Sequence, residues 1–261
     1  MIEVSHLSKS FDSHVVLEDI STVFRPGQVN LVIGQSGSGK TVLLKSLVGL
    51  LPIEQGDIIY SDQSLKAMTP AHRKDLRRRI GMLFQGSALF DSMTVLENVM
   101  FPLDMFTSWS RAEKAERAQA CLERVELPSA AGLFPSELSG GMKKRVAIAR
   151  AIAPNPDYLF CDEPNSGLDP LTSIVIDDLI REITHEYGIT TVVNTHDMNS
   201  VMGIGENIIF IYQGMAAWNG NKDQIMTSTN QKLNDFIFAS DLFKKVKEEE
   251  MKEDERLKMK D

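Results

Sequence analysis

The sequence predicts an α/β fold built on a mainly parallel sheet, with a small antiparallel β-subdomain added to it. Three observations carry this reading. Short apolar runs alternate with amphipathic stretches of helical period along most of the 261 residues, the pattern of strands joined by crossover helices. The first 33 residues instead read as strands in succession, with no helix between them. A glycine-rich stretch stands where one apolar strand passes into a helix, which makes a strand–loop–helix unit.

The elements follow in order. "IEVSHLSKSF" and "VVLEDISTVFRPGQVNLVIG" alternate or run apolar, with "PG" as a turn between strands. After the glycine loop, "KTVLLKSLVGL" reads as a helix, then "GDIIYSD" and "RRIGMLFQ" as strands. Residues 94–126 read as helical, in two pieces: "TVLENVMFPLDMF" and "SRAEKAERAQACLERVEL". The second piece has a serine N-cap and acid–base pairs at helical spacing. "PDYLFCDEP" is a short apolar strand ending in acids. "DPLTSIVIDDLIREITHEYG" is an amphipathic helix closed by Gly188. "ITTVVNTHD" reads as a buried strand and "NIIFIYQGMAAWNG" as a hairpin, with only a short helical stretch after it. From Asp241 the chain mixes charges of both signs densely, so 241–261 reads as a charged tail.

Composition limits the function classes. A charged fraction of 25 % and a hydrophobic fraction of 43 % suit a folded globular chain, so disorder is not the expectation. A net charge of -8 with a pI near 5.2 argues against a chain held on nucleic acid by bulk charge, and no nucleic-acid partner is expected. Cys121 and Cys161 are far apart without metal-ligand spacing and read as buried thiols. The start "MIEVSHLSKSF" lacks the basic segment and apolar run of a signal peptide. No apolar stretch reaches the ~18 residues of a membrane span.

"GQSGSGKT", Gly34, Gln35, Ser36, Gly37, Ser38, Gly39, Lys40 and Thr41, fits G-x-x-x-x-G-K-[ST] in the strand-to-helix context that gives the pattern a mechanism. Its glycines let backbone N–H groups converge on one concavity, and the helix start adds partial positive charge. Lys40 is positioned to reach β- and γ-phosphates and the Thr41 hydroxyl to hold Mg²⁺. A bound nucleoside triphosphate also needs its metal fixed and its water oriented. Asp162 and Glu163 end "YLFCDE": Asp162 would hold the metal, directly or through water, and Glu163 would polarise the attacking water, as general base or as its orienting partner. Taken alone, such a pair is more often a turn or helix cap. His196 ends "NTHD" and Gln85 ends "IGMLFQ". Each is weak singly; together they put four functional segments on adjacent strand ends, and Gln85 becomes a further candidate for a metal-bound water. In "SELSGGMKKR", Ser139 can cap a helix beginning near Met142, leaving the N–H groups of Gly140 and Gly141 for an anion.

In this order, "GQSGSGKT", Gln85, "LSGGM", "YLFCDE", "SGLD" and His196 resemble the ATP-binding cassette (ABC) transporter ATPases over nearly the whole chain. The resemblance implies a P-loop NTPase core with a helical subdomain at about 87–154, the whole cassette spanning 1–240, and ATP and Mg²⁺ as ligands. It implies that Phe11, which the sequence alone assigns to the core, stacks on adenine, with Val16 beside it. Ser139, Gly140 and Gly141 would then meet the ATP of a second copy in a head-to-tail dimer, with Ser166, Gly167, Leu168 and Asp169 at the interface. It also implies an integral-membrane permease and a place at the cytoplasmic face of the inner membrane, peripheral through that permease.

Met142 stands where the general family has Gln. With "FQGSALFDSMTVLENVMFPL" and "DEPNSGLDP", it resembles the Mla/Mce-associated lipid-transport branch. That branch implies a phospholipid or other lipid cargo, an MCE-type lipid-binding protein and, in some members, a STAS-domain protein. The rival expectation is an importer ATPase for methionine or polar amino acids.

Overall fold

A computed structural model describes residues 1–238; the charged segment 241–261 lies outside the described residues. β1 (Ile2–Phe11) and β2 (His14–Phe24) form an antiparallel hairpin. β3 (Val29–Ile33) is buried throughout and leads through the glycine loop into α1 (Lys40–Leu47). β4 (Gln55–Tyr60) and the short β5 (Gln63–Ser64) return to the hairpin. α2 (Pro70–Arg78) follows, capped by Thr69 with Pro70 at its first position, and then β6 (Ile80–Leu83).

Next come three helices that pack on one another: α3 (Val95–Phe106), α4 (Arg111–Arg124) and α5 (Gly140–Ile152). Capping boxes start the first two, Thr94 with Glu97 and Ser110 with Glu113, each satisfying two otherwise orphaned N–H groups. The chain continues through β7 (Tyr158–Asp162), α6 (Pro170–Tyr187), β8 (Thr190–Thr195), α7 (Met198–Ile204), β9 (Asn207–Tyr212) and β10 (Met215–Gly220). α8 (Lys222–Met226) and α9 (Gln231–Ile237) end the described part.

Two sheets result. The smaller is antiparallel, in the order β2-β1-β4-β5. The larger runs β10-β9-β3-β8-β7-β6 and is parallel except at the β9–β10 hairpin. Gln213 and Gly214 turn that hairpin with φ of 49° and 80°, the positive values a tight two-residue turn needs. The fold class expected from the sequence is therefore the one observed, helices α3 to α5 included. The continuous apolar runs of β3, β7 and β8 have a simple cause: a parallel sheet is covered on both faces. Leu31, Ile33, Leu159, Cys161, Val193 and Phe210 point into the layer shared with α3 to α7. Their neighbours Val32, Phe160, Val192 and Ile209 point into the layer shared with α1 and the antiparallel sheet. Each such buried aliphatic side chain contributes about 1.5–3 kcal/mol. Both cysteines are buried as expected, and burial raises their thiol pKa values.

Sequence reading differs from the structure in α2 and α7, helices for which no element was expected. It also differs at the end of β6, which stops at Leu83, two residues before Gln85.

Candidate active site

The larger sheet sets the site. β3, β8, β7 and β6 are consecutive neighbours. Their registers pair Ile33 with Thr195, Asn194 with Asp162 and Cys161 with Leu83. The glycine loop, His196, Asp162 with Glu163, and Gln85 therefore leave one edge of the sheet side by side. Ligands of open α/β sheets sit at that carboxyl edge.

The loop is shaped by its neighbours. A Cβ on Gly34 would stand 2.3 Å from the Ile211 carbonyl oxygen and 2.7 Å from Ser38 Oγ. One on Gly39, where φ is +106°, would stand 2.6 Å from Leu17 Cδ2 and 3.0 Å from the Val16 oxygen. Only glycine lets the loop lie this close to β2 and β9. Gln35, Ser36 and Gly37 form its exposed crest, while Ser38 is buried with its hydroxyl unpartnered. No acidic residue stands in the first turn of α1 to neutralise its N–H groups. Lys40 Nζ folds under the crest and donates to the carbonyls of Gly34 (2.9 Å) and Gln35 (3.1 Å), 3.8 Å from Glu163 Oε1. Burial lowers the Lys40 pKa, against the pull of Glu163 and Asp162.

The acids meet the loop across the strands. Thr41 Oγ1 donates to Asp162 Oδ1 at 3.1 Å, and Asn194 Nδ2 donates to the same oxygen at 3.1 Å. Asn194 Oδ1 is buried without a partner. Glu163 has φ of +49°, a left-handed backbone costing about 1–2 kcal/mol in a non-glycine residue, and its N–H is tied to the Asn194 carbonyl at 3.0 Å. His196 Nδ1 lies 2.8 Å from Glu163 Oε2. Gln85 Nε2 donates to Ser166 Oγ at 3.2 Å, so Gln85 and the "SGLD" segment are in contact.

A hydroxyl beside a carboxylate is a hard-oxygen pair of the kind Mg²⁺ takes. Among the described residues no cluster of three His, Cys, Asp or Glu side chains could hold a metal alone. The pair thus fits a metal whose remaining ligands are phosphate oxygens and water. Ser38 Oγ, within the loop, and Asn194 Oδ1, on the amide that holds Asp162, are buried polar atoms without a protein partner.

Other expected residues lie elsewhere. α5 starts at Gly140, not near Met142: the Ser139 hydroxyl accepts from the Met142 N–H at 3.2 Å, which makes Gly140 the first helical residue. Among the described residues, the N–H groups of Gly140 and Gly141 have no partner. No hydrogen bond joins this helix start to the glycine loop. It packs instead on the "SGLD" segment. A Cβ on Gly140 would lie 3.4 Å from Leu168 Cδ2, and one on Gly141 only 2.6 Å from Thr172 Cγ2. Asp169 caps α6 through the Thr172 N–H at 3.0 Å, and Gly167 is exposed beside it. Phe11 is 43 % exposed with Lys9 Nζ 4.9 Å from its ring centre, which corrects its sequence-based place in the core. Val16 is half-buried, its carbonyl against Gly39.

Three functional neighbours escaped the sequence. Asn194 holds Asp162. Asn165 Nδ2 donates to Asp177 Oδ1 (2.8 Å) and Ser200 Oγ (3.0 Å). Lys144, in "MKKR", is buried under the site and donates to the Gln85 carbonyl. The available signal for Asn194 was a lone amide inside an apolar run. For Lys144 there was none, since a lysine early in a basic helix reads as solvated. Beside the Gln85 loop lies an apolar groove of about 360 Å³, lined by Phe84, Phe90, Phe101, Pro102, Phe106 and Arg150.

Comparison with known proteins gives the family. A family profile described as "ABC transporter" matches residues 17–166. A "Methionine import ATP-binding protein MetN" of Clostridium acetobutylicum is 36 % identical over 241 residues, covering 92 % of this chain and 75 % of its own. An "Intermembrane phospholipid transport system ATP-binding protein MlaF" of Haemophilus influenzae is 35 % identical over 237 residues, covering 91 % and 90 %. A "Probable ribonucleotide transport ATP-binding protein mkl" of Mycobacterium tuberculosis is 35 % identical over 236 residues, covering 90 % and 66 %. Among solved structures, a dimeric ATP-binding cassette in a post-hydrolysis state with ADP and Pi superposes with a TM-score of 0.77 at 31 % identity, covering 85 % of this chain and 99 % of that one.

Proposed function

We propose, from the premise that this chain belongs to the ABC transporter family and is its ATPase subunit, that it drives a membrane permease moving phospholipid or another lipid between membranes. The observation that carries the ATPase part is the sheet edge on which Lys40, Thr41, Asp162, Glu163, His196 and Gln85 converge.

In this reading the N–H groups of the glycine loop and the Lys40 ammonium hold the β- and γ-phosphates. Lys40 has only to exchange the Gly34 and Gln35 carbonyls for phosphate oxygens. Thr41, Asp162 and, through water, Gln85 hold Mg²⁺, which when bound screens the charge on those oxygens. Glu163 takes the proton of the attacking water, and His196 fixes the carboxylate oxygen that does not face Lys40. Phe11 is exposed and flat enough to stack on adenine, with Val16 at its side. The N–H groups of Gly140 and Gly141 and the Ser139 hydroxyl cap the γ-phosphate of a second copy, placed head to tail. Ser166 to Asp169 then lies between the two sites, against both Gln85 and the start of α5. Two-fold symmetry follows from having complementary half-sites on one chain.

No helix among the described residues is long and apolar enough to cross a membrane. The aromatic groove beside Gln85, part of the 87–154 helical subdomain and its border, suits an amphipathic helix of a permease at the cytoplasmic face of the inner membrane. Support for a lipid cargo comes from Met142, half-buried against the helical core, and from the phospholipid-transport relative. An MCE-type lipid-binding protein, and a STAS-domain protein, are the partners that go with it. The methionine-import relatives favour the second reading, an amino-acid importer.

The test uses the chain co-purified with its permease and reconstituted in vesicles. Glu163→Gln should abolish phosphate release and leave an ATP-bound dimer, read by light scattering. Transfer of a labelled phospholipid, with no uptake of labelled methionine, is expected. ATP-dependent methionine uptake would move the assignment to the importer class.

A further inference from the structure

Helix α5 has two tasks in the reading above: its start meets the nucleotide of the partner copy, and its body lies under the chain's own site. One side chain joins the two. Lys144 projects from the second turn of α5 and is 4 % exposed. Its Nζ donates to the Gln85 carbonyl, the shorter contact, and to the Glu163 carbonyl at 3.4 Å. Those two oxygens belong to the two strand ends, after β6 and after β7, that carry the candidate metal-water ligand and the candidate base. No carboxylate pairs with Lys144 directly: its salt-bridge distance to any acid is beyond 4.0 Å among the described residues, so both its hydrogen bonds go to backbone oxygens.

A buried ammonium without a carboxylate partner is costly unless it is fully hydrogen-bonded. A neutral residue that packed the same space would be the cheaper way to fill the core. The position therefore holds a donor of full charge where only backbone carbonyls receive it. The same helix grips the same loop a second time. Arg150 donates to the carbonyls of Ser87 (2.7 Å) and Ala88 (2.6 Å), two consecutive residues with left-handed backbones, φ 62° and 49°. The Gln85–Ala88 loop is thus fastened to α5 at both ends, and Lys144 alone extends the fastening to Glu163.

We propose that Lys144 is a positioning residue that locks the helix bearing Ser139–Gly141 to Gln85 and Glu163, so that engagement of the partner copy's nucleotide aligns the chain's own hydrolytic groups. This rests on the assignment of Glu163 and Gln85 given above. Lys144 touches no reacting atom. It acts by keeping the Gln85 amide on Ser166 and the Glu163 carboxylate on His196, and a misplacement of about 1 Å at such groups can cost up to ~100-fold in rate.

The test is steady-state ATP hydrolysis by the full-length chain, with ATP affinity measured separately. Lys144→Met keeps most of the side chain's length and bulk and loses both hydrogen bonds. Its kcat should fall about tenfold or more, with KM for ATP changed less than about twofold. Lys144→Arg, which can reach both carbonyls, should recover most of the loss, and Lys144→Gln, with one amide, part of it. In a Gln85→Ala background the Lys144→Met loss should shrink to about threefold, because one of the two groups it positions is already gone. A packing role alone would lower thermal stability and give the same fold-loss in both backgrounds; that result, or wild-type kcat in Lys144→Met, overturns the proposal. If Lys144→Met does not fold, the order wild type, Arg, Gln in kcat decides it, and equal rates for Arg and Gln overturn it. Glu163→Gln in parallel separates the two levels: turnover by that variant removes the underlying site assignment, whereas an inactive Glu163→Gln beside an unaffected Lys144→Met removes only this inference.

Discussion

His196 Nδ1 lies 2.8 Å from Glu163 Oε2, while Lys40 Nζ stands 3.8 Å from the other oxygen of the same carboxylate. The candidate base is held from both sides by residues from different strand ends. His196→Ala frees one side. Its kcat should fall by about 10²-fold, the low end for losing a group tied to general-base catalysis, with ATP affinity little changed. Phosphate-release assays across ATP concentrations give both numbers, and a rise in KM with constant kcat would place His196 in binding instead.

Lys40→Ala removes the ammonium that now satisfies the Gly34 and Gln35 carbonyls. Charge-assisted hydrogen bonds are worth about 1.5–3 kcal/mol, so ATP affinity should fall by roughly tenfold or more. Titration with a fluorescent ATP analogue measures it. Unaltered affinity would mean that Lys40 serves only to brace the loop through the Gly34 and Gln35 carbonyls.

Asp177, on α6, accepts from Asn165 and has its pKa raised to about 6, chiefly by burial; hydrogen bonds from Ser200 and Asn165 oppose this, and Asp197 and Asp178 add to it. From about pH 4 to 6 the folded chain keeps a proton that the unfolded chain has released, so this group's contribution to stability falls as pH rises through that window. Above pH 6 the full penalty of a buried carboxylate applies, at most about 3 kcal/mol. Asp177→Asn keeps an acceptor for Asn165 and has nothing to ionise. It should match wild type near pH 4.5 and melt several degrees higher at pH 7.5. A Tm difference independent of pH would sink this assignment.

Phe90 is 39 % exposed and packs on Phe101, ring centres 4.6 Å apart, in the groove beside Gln85. Phe90→Asp puts a charge where an apolar partner helix is expected. Co-purification with the permease should be lost while far-ultraviolet circular dichroism stays that of wild type. Retained co-purification would place the docking surface elsewhere.

The sheet and most of the site were legible because their signals are local. A glycine run between an apolar strand and a helix, or acids ending an apolar run, need no knowledge of distant contacts. Parallel pairing then turns four separate strand ends into one edge. What was missed depends on tertiary placement. α2 buries only Leu76 and carries little apolar pattern, although Thr69 and Pro70 are a start signal. Phe11 resembles any strand aromatic until the sheet ends beside it. Lys144 and Asp177 are ordinary surface types whose burial follows from what meets them in the fold, here the Gln85 loop and Asn165 with Ser200.

Cys121 and Cys161 are the chain's two thiols, and both are sealed in the layer beneath the helices, 1 % and 0 % exposed. Burial also keeps them protonated, which makes them poor nucleophiles. The folded chain is in effect silent to maleimides without any replacement. A single cysteine placed at exposed Leu171, just past Asp169, would therefore carry a dye or spin label alone, and the distance between two such labels would time the meeting of two copies directly.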